Sequence, residues 1–195
     1  MNGRTCLRRL ALLGVSSALW SAAVNPQQRA IDPQTSVMTV RVYKAGVFSA
    51  FAHDHEIAAP IAAGTVDTAA RSVQFHIDAN SLKVRDPKAS EQDRNEIRKT
   101  MLGPAVLDAG QTPQIVFRST AAEPSGPNSW TVRGPLTLHG QTRPVNVEVS
   151  ERDGHYVGHA LLKQTEFGIK PVRLAGGAVR VKDEVRIEFD IQLTH

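Results

Sequence analysis

Cysteine is nearly absent: Cys6 is the single one among 195 residues. That excludes an intramolecular disulfide framework and any multi-thiolate metal site. Aromatic residues make up only 5% of the chain, and no Lys/Arg cluster is interleaved with them. Nucleic-acid binding thereby loses its main sequence support. The longest apolar run, Leu10 to Trp20, reaches only about half the ~20 residues a membrane-spanning helix needs. There is no Gly-x-Ser-x-Gly elbow, no P-loop and no Gly-x-Gly-x-x-Gly turn, so hydrolase and nucleotide chemistry find no foothold.

What is present begins with a leader. Arg4, Arg8 and Arg9 precede the apolar run, and Ser21-Ala22-Ala23 supplies small residues where a signal peptidase reads. The reading is a signal peptide over 1–23, removed on export, with 24–34 as a polar linker and 35–195 as one domain. Cleavage after Ala23 would remove three of the 23 Lys+Arg and none of the 19 Asp+Glu, leaving 20 − 19 = +1. Cys6 would leave with it.

The domain reads as strands almost throughout. Between Trp130 and Val149, the tight segment Leu138-His139-Gly140-Gln141-Thr142-Arg143-Pro144 joins two of them, and Val145, Val147 and Val149 alternate with Asn146 and Glu148. A period of two marks a strand with one dry face and one wet face. The same period recurs at Val40 and Val42, at Val73, Phe75 and Ile77, and most clearly from Val185 through Ile187, Phe189 and Ile191 to Leu193. Ile115 to Phe117, Tyr156 to Lys163 and Val179 to Val181 are weaker. About eight strands separated by Gly, Pro and Asn turns predict a closed antiparallel barrel. One segment differs: Ser90 to Leu102 is rich in helix formers, with Ser90 and Asp93 placed to cap it and Gly103-Pro104 to end it.

His53-Asp54-His55 is the sharpest polar feature, because residues two apart on a strand face the same way. The pair is similar to the histidine strand of metal cupins, but the carboxylate that motif wants is replaced by Ala59 and Pro60. The better reading is polar contact at a pocket rim; no cofactor or resident metal is expected. His139 reads as a turn-holding residue. Glu188 and Asp190 read as members of a solvated outer face rather than an acid–base pair. The phenylalanines fall in or beside strands, and a barrel of this size holds either packed side chains or one small elongated ligand.

Several segments together resemble the YceI-like family of exported bacterial proteins. They are Pro135 to Val145, Ile77-Asp78-Ala79-Asn80-Ser81-Leu82, Val106-Leu107-Asp108-Ala109 through Thr120, and Lys163 to Ile169. The resemblance runs from about Ile31 to Leu193. It implies a lipocalin-like barrel that binds a polyisoprenoid or similar apolar lipid in the periplasm without catalysis, and it admits a homodimer. The inward positions Phe75, Ile77, Phe117, Leu136, Leu138, Phe167, Phe189 and Ile191 are the expected ligand contacts, with His53 and His55 at the rim. Two other readings stand beside this one: a metal-dependent exported protein using His53 and His55, and a stress-response or adhesion module whose barrel is filled by its own side chains.

Overall fold

A computed structural model describes residues 27–45, 54–174 and 179–194. The leader, Phe48, Phe51 and His53 lie outside the described residues. The strands are β1 (Gln28–Ala30), β2 (Val37–Ala45), β3 (His55–Ala58), β4 (Ala63–Asp67), β5 (Ser72–Asp78) and β6 (Lys83–Val84). After the helix α1 (Glu91–Leu102) come β7 (Gln114–Arg118), β8 (Ala121–Gly126), β9 (Ser129–Leu138) and β10 (Gln141–Arg152). β11 (His155–Lys163), β12 (Arg173–Leu174) and β13 (Val179–Ile191) complete the order.

All thirteen strands belong to one sheet, ordered β1-β4-β5-β7-β9-β10-β11-β13-β2-β3-β6, with β8 on β9 and β12 on β13. Every pairing is antiparallel. The expected closed barrel of about eight strands is therefore corrected to an open, strongly curled sheet whose ladder has two ends, β1 and β6. The break falls at the segment 59–62, where Pro60 has no N–H to donate and ladder pairing lapses. Single bonds bracket it: Ala59 N–H donates to Met38 O at 2.8 Å, and Ala62 N–H to His76 O at 2.9 Å. The curl thus draws β2 and β5 toward each other without a continuous ladder between them.

Part of the segment read from sequence as a polar linker is paired with the sheet. Gln28–Ala30 pairs with β4, and Ile31, 3% exposed, bridges to Leu193. The Arg29 guanidinium donates to Thr194 O at 2.7 and 2.9 Å, tying this segment to the far end of the chain. Periodicity could not reveal β1, because its Gln-Arg-Ala sequence is held by backbone pairing.

Elsewhere the alternation holds. The β9–β10 turn places His139 at φ 50° and Gly140 at φ 67°, the two positive values that suit the twist of a two-residue hairpin. Pro144 lies inside β10, opposite Pro135, so two residues without N–H share one ladder position. α1 is capped as its sequence predicts: Ser90 Oγ accepts from the Asp93 N–H at 3.1 Å, and the Asp93 carboxylate accepts from the Ser90 N–H. Its Met101 is buried toward the sheet.

Candidate functional site

The inner face of the curled sheet encloses a cavity of about 880 Å³, toward the upper end of the range usual for small-molecule sites. Strand register builds its walls in rows. Trp130, Val149, Gly158, Phe189 and Met38 lie side by side across β9, β10, β11, β13 and β2. Phe75, Phe117 and Leu136 form a row on β5, β7 and β9, with the two rings 5.6 Å apart and tilted by 34°. Gly158 is required here: a Cβ would stand 2.0 Å from Glu148 O and 2.7 Å from the Phe189 ring. The absent side chain lets Phe189 lean across β11. Ile97, Thr100 and Met101 of α1 close one side.

Seven of the eight expected apolar contacts line this space: Phe75, Ile77, Phe117, Leu136, Leu138, Phe189 and Ile191. Phe167 does not. It sits in the 3-10 turn Gln164–Phe167, closed by Gly168 at φ 75°, and is 0% exposed within the packed core. β11 ends at Lys163, so its alternation does not reach Phe167. Sequence reasoning missed Trp130, whose place opposite Val149 was the signal that could have revealed it.

Polar groups gather where the walls end. Asp67 and Ser72, the facing ends of β4 and β5, with Thr68 and Arg71 of the turn between them, mark one end, and Lys44, His55, Asp86 and Lys88 stand toward another. His55 pairs with Val42 on the inner face, one step along from the Ile57–Val40 pair. Its Nδ1 lies 2.6 Å from Asp86 Oδ2, and Asp86 Oδ1 accepts the Glu56 N–H at 2.6 Å. Asp86 is only 3% exposed. Burial of a carboxylate is costly unless donors satisfy it, and here two do. Nothing in the strand pattern singled out Asp86, which follows the short β6. Among the described residues no three His, Cys, Asp or Glu side chains form a metal-holding group. His139 Nδ1 meets Phe167 O at 3.2 Å, joining the hairpin turn to the 3-10 turn.

The opposite face is wet, as the alternation of Glu188 and Asp190 implied. Glu188 accepts from Arg41 at 2.7 Å and from Arg186 at 2.9 Å. Arg41 also reaches Glu56 at 2.8 Å, and Asp190 lies 2.8 Å from His155 Nδ1. The Arg41 hydrogen bond, followed by that of Arg186, holds the Glu188 carboxyl below its usual range.

An all-β sheet curled around an apolar cavity, with one capped helix beside it, defines the architectural class. The YceI-like domain pattern matches residues 30–193, and the chain belongs to that family. A UPF0312 protein of Vibrio cholerae is 30% identical over 131 residues, 62% of this chain and 63% of that protein. One from Vibrio parahaemolyticus is 31% identical over 116 residues, 54% of this chain and 59% of that protein. The chain thus spans about three-fifths of the length of these curated relatives. Among solved structures, Burkholderia cenocepacia BcnA is 23% identical with a TM-score of 0.63, covering 85% of this chain and 99% of its own. A mutant Campylobacter jejuni YceI protein is 13% identical with a TM-score of 0.51, covering 71% and 81% respectively. These two likenesses establish the fold.

Proposed function

We propose that this chain is a non-enzymatic binding protein that holds an amphiphilic apolar ligand, of the polyisoprenoid or similar lipid type, within its curled sheet. The observation that carries this reading is the apolar cavity of about 880 Å³, whose rows of Val, Leu, Ile, Met and Phe come from strands far apart in sequence. Apolar burial yields roughly 0.8 kcal/mol per CH₂ before binding costs, so a chain of several isoprene units is held without any catalytic group. A sheet filled by its own side chains would leave no such space. Membership of the YceI-like family supports the same reading. The proposal extends to export: the arginines and apolar run before Ala23 serve as a cleaved leader and deliver the domain to the periplasm, which N-terminal sequencing of the cell-envelope form tests.

The ligand reading has a built-in reporter. The chain has two tryptophans, Trp20 and Trp130, and only Trp130 survives leader removal. Titrating the leaderless chain with a long isoprenoid should shift Trp130 emission saturably. Leu136→Asp should abolish the shift, because it places a carboxylate among the wall side chains. An emission that does not respond to any apolar titrant would remove the carrier reading.

A further inference from the structure

Within the cavity, one polar arrangement is built rather than incidental. His55 is carried on the inner face of β3, opposite Val42, while Arg71 and Lys88 lie in connections between strands and Ser72 is the first residue of β5. Its ring is fixed from behind by Asp86, which is 3% exposed and also holds the Glu56 N–H. A carboxylate accepts only, so Nδ1 carries the proton of this hydrogen bond and Nε2 is the ring atom left for a guest. A carboxylate behind an imidazole locks ring orientation and tautomer together.

We propose, resting on the carrier reading above, that the His55–Asp86 pair is the head-group site and that the ligand presents a hydroxyl to His55 Nε2. A hydroxyl both donates and accepts, so it pairs with Nε2 whether the imidazole is neutral or protonated. A carbonyl or ether oxygen pairs only with the protonated ring. The register also sets the direction of the guest. Met38, in the Trp130 row, and Val42, beside His55, are four residues apart on β2, roughly 13 Å at the usual rise of a strand. The hydrocarbon therefore runs from His55 toward Trp130, and Lys44 lies one step beyond Val42 on the same face, nearer the rim.

The test is a paired titration of the leaderless protein with a branched long-chain alcohol and with the alkane of the same skeleton, each read by Trp130 emission. Changing His55→Phe should weaken the alcohol by about tenfold, the usual scale of one hydrogen bond, and leave the alkane unchanged. His55→Gln, which retains hydrogen-bonding capacity, should recover part of the loss. The alkane reports whether the wall still folds around a guest. Equal change for both ligands, or none for the alcohol, would overturn the head-group site while leaving the carrier reading intact. Failure of the wild-type chain to bind either ligand would overturn both.

Discussion

The two faces of the same four strands differ by a one-residue step. Inward, Val149, Gly158, Phe189 and Met38 make a dry row; outward, Glu148, His159, Glu188 and Thr39 stand one position along. The inner row is held by packing and by an absent side chain at Gly158. On the outer row, Glu188 makes ion pairs with Arg41 and Arg186, whose members are all a third or more exposed. Solvent screens such pairs strongly, whereas lost packing has no substitute in water. Stability therefore resides chiefly on the inner face, which also bounds the cavity, and the outer face supplies a modest increment.

The largest break in this comparison should come from Phe117→Ala. Phe117 is 3% exposed, packs against Phe75 and lines the cavity. Chemical denaturation should show a loss of about 3–5 kcal/mol, and a loss below about 1 kcal/mol would mean that the row is not close-packed. Next is Gly158→Ala, which forces a methyl against the Glu148 carbonyl and the Phe189 ring. Overpacking of this kind costs about 1–3 kcal/mol, and displacement of Phe189 should also weaken isoprenoid binding. An unchanged unfolding midpoint would show that β11 yields freely.

The outer face should respond least. Glu188→Gln is expected to cost under about 1 kcal/mol at neutral pH, less at high salt. Because Arg41 and Arg186 depress the folded-state pKa of Glu188, its contribution is present above the unfolded carboxylate value and fades as pH falls through the lower folded value. The acid limb of the wild-type stability curve should therefore be slightly steeper than that of Glu188→Gln. Superimposable limbs would contradict the assigned pairing.

The inner face was legible in sequence wherever alternation ran long enough. The pattern Val185 to Ile191 placed β13 in its correct phase, and Val145 to Val149 did the same for β10. Ser90 and Asp93 announced the helix cap because that motif is local. What alternation did not reach was short or backbone-held. β8 carries Pro124, and β6 has two residues, so neither presents a period to read. Closure was misjudged for a related reason: Pro60 interrupts the ladder inside a stretch that otherwise looks strand-like. The sequence drew attention to His55 through the His-Asp-His spacing, but its partner Asp86 arrives from 31 positions later in the chain. Only the pairing of β3 with β6 brings the two together.

Mass analysis of an organic extract from protein purified out of its own source cells, without added lipid, bears most directly on the cavity. A hydroxyl-bearing isoprenoid or similar amphiphile recovered near one equivalent per chain is the predicted result, with recovery falling sharply for Leu136→Asp. Extracts free of lipid, from a chain that also takes up none when offered, would contradict the account.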